Sequence, residues 1–156
     1  MTVVGVTGHS NLTDRTVELV GEALRQVLEP HAEGLVGLTC LARGADQVFA
    51  DVVLGLGGKL RIVIPAADYF TAIPDQRSRE RCEDYLAAAE STVTIGFETS
   101  GHPAYLAASR YLVDHCDLLV AVWDGSTSSG TADAVTYAEQ AGRQSVVVWP
   151  GGAQRT

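Results

Sequence analysis

The chain has 156 residues, enough for one domain (1–156) with a substantial core. Its 46% hydrophobic and 19% charged residues exclude an intrinsically disordered polymer. The 19 acidic and 11 basic side chains give a formal net charge of -8, which disfavours non-specific nucleic-acid binding but allows a local basic pocket.

The N-terminus, "MTVVGVTGHS", is too short and lacks the basic region of a signal peptide. No apolar stretch reaches transmembrane length, so a cytoplasmic protein without membrane contact is expected. The first strand is Val3–Thr7. Within "GVTGHSNLTDR" that follows, Gly8 stands where the strand turns toward a helix. Small turn residues let a ligand approach the backbone, and His9, Ser10 and Asn11 add hydrogen-bonding side chains suited to a phosphate or ribose. Asn11, Thr13 and Asp14 equally suit an Asx turn and helix cap. His9 has three readings: ligand donor, loop-orienting residue, or catalytic group.

The first helix carries Val17, Val20, Leu24, Val27 and Leu28 on one face, capped by Thr13 or Asp14. His31, after Pro30, reads as a surface residue. Leu35–Leu41 is the second strand, and residues 45–56 form the second helix, ended by the glycines of "GLGGK". At the turn between them, Arg43 and Gly44 precede Asp46. Arg43 can pair with a phosphate or form a structural ion pair with Asp46, and Asp46 can cap backbone N–H groups or bind ribose hydroxyls.

After the third strand, Leu60–Ile64, a helix is expected from near Pro74 to Ala89 with Cys82, Tyr85, Leu86 and Ala89 on its inner face. Arg77, Arg79 and Arg81 are candidates for reaching a phosphate or for balancing the neighbouring acids. Tyr69 and Phe70 suit covering a base or packing beneath the loop. Thr92–Ile95 is the fourth strand, and a helix spans 103–114, with His102 as a loop or cap residue and His115 at its C-terminus.

The fifth strand, Leu118–Trp123, ends at Asp124. Gly125 permits the turn, Ser126, Thr127, Ser128 and Ser129 line the bend, and Gly130 and Thr131 lead into a helix ending near Ala141. Backbone donors at such a helix start, with small hydroxyls around them, suit an anionic group. The sixth strand is Ser145–Trp149, and "GGAQRT" reads as a loose tail. Strands alternating with helices predict a three-layer, Rossmann-like α/β fold with a mostly parallel sheet of about six strands flanked by helices. Such sheets bind ligands beyond the C-terminal ends of their strands, where the three Gly-containing turns would converge. Cys40, Cys82 and Cys116 are expected as buried free thiols, and neither the cysteines nor the histidines have a metal-site spacing.

The segments "VTGHSNL", "LARGADQVFADVV" and "DLLVAVWDGSTSSGTADAVTYAEQAG" together resemble the SLOG superfamily of Rossmann-like domains. That group includes YpsA-like proteins, DprA-type domains and LOG or "lysine decarboxylase-like" phosphoribohydrolases; small bacterial YpsA-like members are the nearest in pattern. The resemblance implies a site for a nucleotide or ADP-ribose-like ligand, with Gly8, Arg43, Gly44, Gly130 and Thr131 around phosphate or ribose and Asp46 and Asp124 in support. LOG enzymes carry Pro–Gly–Gly–x–Gly–Thr–x–x–Glu, whose glutamate takes part in cleaving the base–ribose bond. Here the glutamate position is Ala134, with Asp133 one residue earlier, a rotation of roughly 100° on a helix.

The resulting expectation is a sensor, carrier or accessory protein binding a phosphate-containing small molecule. Two alternatives stand beside it. An N-glycosidic hydrolase or transferase would use Asp124, Asp133 or Asp46, with His9 as a further candidate. A molybdenum-cofactor carrier would place an anionic phosphate in the same turn. Nucleic acid is not expected as a partner, and the resemblance implies a homo-oligomer.

Overall fold

The computed structural model describes residues 1–156 and contains six strands and five α-helices in alternation. They are β1 (Thr2–Gly8), α1 (Asp14–Leu28), β2 (Leu35–Thr39), α2 (Ala45–Gly55), β3 (Lys59–Ala66), α3 (Gln76–Ala88), β4 (Ser91–Phe97), α4 (His102–Asp114), β5 (Leu118–Val122), α5 (Gly130–Gln140) and β6 (Gln144–Val148). One short 3₁₀ turn, Glu29–His31, extends α1. The strands form a single sheet in the order β4-β3-β2-β1-β5-β6. Every pairing is parallel, so the sheet goes beyond the mostly parallel one expected. No helix is long and apolar enough to cross a membrane.

Central strands made of unbroken apolar runs need cover on both faces. On one face, Val20, Leu24 and Leu28 of α1, Phe49 and Val53 of α2 and Tyr85 of α3 close over Val4, Val6, Leu35 and Val120. On the other, Ala108, Leu112 and Val113 of α4 and Ala138 of α5 cover Val3, Val36, Leu38 and Leu119. Each fully buried leucine or phenylalanine contributes roughly 1.5–3 kcal/mol by leaving water. Gly37 admits α2 closely, since a Cβ there would lie 2.8 Å from Val53 Cγ2. Val17, expected on the inner face of α1, is 36% exposed.

Three expectations are corrected at element ends, and one strand is exposed where its neighbours are buried. β2 stops at Thr39, because the Thr39 hydroxyl accepts from Leu41 N–H at 3.1 Å and Leu41 adopts φ +59. α3 begins at Gln76, with Asp75 capping Ser78 N–H at 3.1 Å, so Pro74 lies ahead of the cap and not in the first turn. β4 is an edge strand with largely exposed residues. The C-terminal residues are docked: Leu12 and Arg155 form an antiparallel bridge, and Thr156 N–H donates to Asn11 O at 2.9 Å.

This topology positions a site. The chain leaves β1 for β2, β3 and β4, then returns to the other flank of β1 as β5. The turns after β1 and β5 therefore diverge, one into α1 on the first face and one into α5 on the second. Such a reversal of strand order opens a crevice at the C-terminal edge of the sheet.

Candidate functional site

A cleft of about 670 Å³ lies at that edge. Its walls come from Gly8 at the end of β1 with His9 and Ser10 beyond it, from Cys40 to Arg43 with Asp46 after β2, and from Pro65 near the end of β3 with Tyr69 and residues 72–75 beyond it. Tyr105, Ser109 and Leu112 of α4 and Ser129, Gly130 and Thr131 at the start of α5 complete it.

Two glycines let the first two turns interleave. A Cβ on Gly8 would meet Ala45 Cβ at 2.5 Å and Val122 Cβ at 2.8 Å. Gly44, at φ +86 and ψ -125, lies beneath the β1–α1 turn, where a Cβ would stand 2.7 Å from His9 O. Ala45 N–H donates to His9 O at 3.1 Å and fastens the turns together. Gly8 faces the cleft, whereas Gly44 supports it from behind.

Arg43 is exposed, lines the cleft, and forms no ion pair with Asp46 or any other acid. Asp46 is 6% exposed and its Oδ2 accepts from Ala42 N–H at 3.2 Å. Burial pushes its carboxyl up to about 7, against the opposing pull of hydrogen bonds from Ala42, Cys40 and Thr39. Near neutral pH the floor of the cleft is thus partly relieved of negative charge.

The β5–α5 bend divides by function. Ser129 caps α5 through Oγ, which accepts from Ala132 N–H at 3.1 Å, and its carbonyl accepts from Asp133 N–H at 3.2 Å. The N–H groups of Gly130 and Thr131 have no backbone partner in the protein, and both residues line the cleft at the positive end of the helix. Asp124, Gly125 and Ser126 lie outside the cleft lining. Ser126 N–H donates to Asp124 Oδ1 at 2.9 Å, His9 Nε2 lies 3.0 Å from the same oxygen, and Arg155 Nη1 stands 3.6 Å from Oδ2. Ser126 foremost, with His9, holds the Asp124 carboxyl well below the usual carboxylate range.

His9 is 4% exposed, its ring edge-on to Trp149 with centroids 5.7 Å apart. Burial lowers its pKa despite the raising effect of the Asp124 hydrogen bond, and its Nε2 meets both the Asp124 carboxylate at 3.0 Å and the Asp124 backbone N–H at 3.2 Å. His9 and Asp124 form a brace that joins the ends of β1 and β5. Asn11 is engaged elsewhere: its Nδ2 donates to Thr156 O at 3.0 Å and its Oδ1 accepts from Arg155 at 3.0 Å.

On α5, Ala134 faces the cleft and is 2% exposed, whereas Asp133 is exposed and turned toward α4. The nearby arginines do not reach in. Arg79 donates to Ile73 O, Arg81 pairs with Asp51 at 3.3 Å, and Arg77 lies outside the lining. Tyr69 lines the cleft beside Tyr105, centroids 6.3 Å apart, while Phe70 packs on the core. His102 is the first residue of α4, and His115 stacks on Tyr111 at its other end. Cys82 and Cys116 are buried and Cys40 partly so, all as free thiols. Sequence reasoning missed Tyr105, Ser109 and Leu112 as cleft residues. Their i, i+4, i+7 spacing on α4 was the available signal.

No protein-family model and no curated protein sequence matches the chain. Among solved structures, DNA processing protein A (DprA) of Streptococcus pneumoniae aligns over 97% of this chain with a TM-score of 0.76 and 19% identity. This chain spans about half of that protein, 52% of its length. DNA processing protein A of Helicobacter pylori, described as binding single-stranded DNA, aligns over 99% of this chain and 68% of its own, with TM-score 0.71 and 15% identity. The molybdenum cofactor carrier protein of Chlamydomonas reinhardtii aligns over 94% of this chain and 75% of its own, with TM-score 0.61 and 19% identity. The chain shares the Rossmann-like α/β fold of these structures. The narrower YpsA-like resemblance is not confirmed by them, and the expectation that excluded nucleic acid gains no support.

Proposed function

We propose that the protein binds a nucleotide or nucleotide-derived phosphate ligand in the β1–β5 cleft and acts as a sensor, carrier or accessory protein. One observation carries this reading: Gly130 and Thr131, whose N–H groups have no backbone partner, and Arg43, whose guanidinium is unpaired, line a single cleft at the strand-order reversal. The phosphate would take the α5 N-terminus, with Gly8 and Ser10 at its side. Tyr69 and Tyr105 offer flat surfaces for a base, and Asp46 offers an acceptor to a ribose hydroxyl. His9, Asp124, Gly125 and Ser126 hold the surrounding turns, and Gly44 and Asn11 support them from outside the cleft.

A second reading is a molybdenum-cofactor carrier using the same cleft, favoured by the fold likeness to the Chlamydomonas carrier. Native mass spectrometry of protein isolated without added ligand separates the two by retained mass and reports any homo-oligomer. Calorimetric titration with adenosine monophosphate, inorganic phosphate and a short single-stranded oligonucleotide supplies the direct test. Saturable mononucleotide binding that weakens at least about tenfold in Arg43→Ala is expected. Mononucleotide binding unaffected by Arg43→Ala, or binding of the oligonucleotide alone, would overturn the proposal.

A further inference from the structure

The sequence "WPGGAQRT" that follows the valines of β6 reverses the chain and lays it over the first turn of the cleft. Ala153 N–H donates to Pro150 O at 3.0 Å, and Gly152, third in this four-residue turn, takes φ +89, a conformation that favours glycine. The returning residues are fastened to the β1–α1 turn and to the start of α1. Thr13 N–H donates to Gln154 O at 3.3 Å, and Gln154 N–H donates to the hydroxyl of the fully buried Thr16 at 2.7 Å. Thr156 N–H donates to Asn11 O at 2.9 Å, and Asn11 Nδ2 donates to Thr156 O at 3.0 Å.

Arg155 extends this attachment to a second turn. Its Nε donates to Asn11 Oδ1 at 3.0 Å, and its Nη1 stands 3.6 Å from Asp124 Oδ2. One rigid guanidinium therefore spans Asn11, next to the cleft residue Ser10, and Asp124, where the bend leading to Gly130 begins. Arg155, Asn11 and Asp124 all lie outside the cleft lining, so none of them can touch a ligand there. The side chains of the ion pair are 34% and 24% exposed, and such a pair contributes little to stability. Its geometric consequence is larger. A phosphate held between Ser10 and the start of α5 needs the turns after β1 and β5 at a fixed spacing, and the guanidinium ties the two from behind.

We propose that residues 154–156 form a strap whose Arg155 is a positioning residue for the phosphate-side wall of the cleft, so that ligand binding and docking of the strap are coupled. This rests on the preceding reading of the cleft. The strap sets where the donors stand, and a ligand that bridges the two turns in turn holds the strap in place.

Calorimetric titration of adenosine monophosphate into the parent, Arg155→Ala and Arg155→Lys tests the coupling. Both variants should bind about fivefold or more weakly than the parent, with thermal unfolding midpoints within about 4 °C of it. Lysine keeps the charge but cannot span both partners. Parent-like affinity in Arg155→Lys beside a loss in Arg155→Ala would assign the effect to charge alone and overturn the strap, as would parent-like affinity in both. Saturating adenosine monophosphate should also slow hydrogen exchange of the Gln154 and Thr156 amides in the parent, because coupling acts in both directions. Unchanged exchange rates overturn the coupling while leaving the cleft. Should the variants fail to fold, this measurement on the parent alone decides. Failure of the parent to bind the probe overturns both proposals.

Discussion

Replacing Gly44 by alanine tests whether the cleft depends on the interlocking of its first two turns. The residue sits at φ +86 and ψ -125, a conformation that L side chains rarely adopt. The new Cβ would lie 2.7 Å from both His9 O and Ser10 O and 2.8 Å from Ser10 Cα. All three are backbone atoms, so no side-chain rotation relieves the contact. A strained conformation costs about 1–3 kcal/mol and displacement of packed backbone costs a further 1–3, or about 2–6 together. Urea denaturation monitored by tryptophan fluorescence reads this loss, expected as a lower midpoint with an unchanged slope. The neighbouring Arg43→Ala supplies the contrast: with no ion pair to lose, its stability should stay within about 0.5 kcal/mol while phosphate binding falls. A Gly44→Ala protein within about 1 kcal/mol of the parent would refute the account of how these turns are joined.

Further outcomes follow from individual residues. The raised Asp46 pKa means the folded state holds more protons than the unfolded state between about pH 4 and pH 7. Its contribution therefore favours folding at the acid end of that window and is lost as pH rises through about 7. Asp46→Asn should flatten this component in paired urea titrations; His9, present in both proteins, cancels from the difference. An unchanged pH slope would refute the assignment. Ser129→Ala should cost about 1 kcal/mol in thermal unfolding, because it strips Ala132 N–H of its cap. Nucleoside monophosphates incubated with the protein should release no free base by chromatography, since Ala134 occupies the cleft-facing position and Asp133 turns toward α4. Base release abolished by Asp124→Asn would reverse that expectation.

The fold was legible because its signals are local and repeated. Unbroken Val, Leu and Ile runs, separated by helical patterns, specify parallel strands with crossovers, and chain order alone brings their C-terminal turns to one edge. The cleft was legible only to the level of turns. Gly8, His9, Ser10, Arg43, Asp46, Ser129, Gly130 and Thr131 line it, but Asn11, Gly44, Asp124, Gly125 and Ser126 do not. The difference arises from contacts distant in sequence. Asn11 meets the far terminus, Asp124 meets His9 across 115 positions, and Gly44 meets the carbonyls of an earlier turn. A turn rich in polar residues identifies an edge of the sheet but not the direction in which each side chain points. Tyr105 and Ser109 were missed for a related reason: their helix was expected, but its inner face could not be oriented without α5.

The two conspicuous carboxylates after β2 and β5 bear on how a protein with net charge -8 would accept the proposed phosphate. Asp124 remains ionised, yet its charge is held outside the lining by Ser126 and His9 and faces Arg155. Asp46 lies inside, where the low polarity that makes its ionisation costly also reduces its negative charge near pH 7. One acid is displaced and the other partly discharged, while Arg43 and the start of α5 stay free. Binding of a phosphate would oppose ionisation of Asp46 still further, so ligand and proton should bind cooperatively. Mononucleotide affinity should therefore be higher at pH 6 than at pH 8, and Asp46→Asn should reduce the difference. Calorimetry in buffers of different ionisation enthalpy would also reveal proton uptake near pH 7 in the parent and less in the variant. Equal proton uptake in both would separate Asp46 from the electrostatics of binding and place the linked proton elsewhere, for example on the ligand's own phosphate.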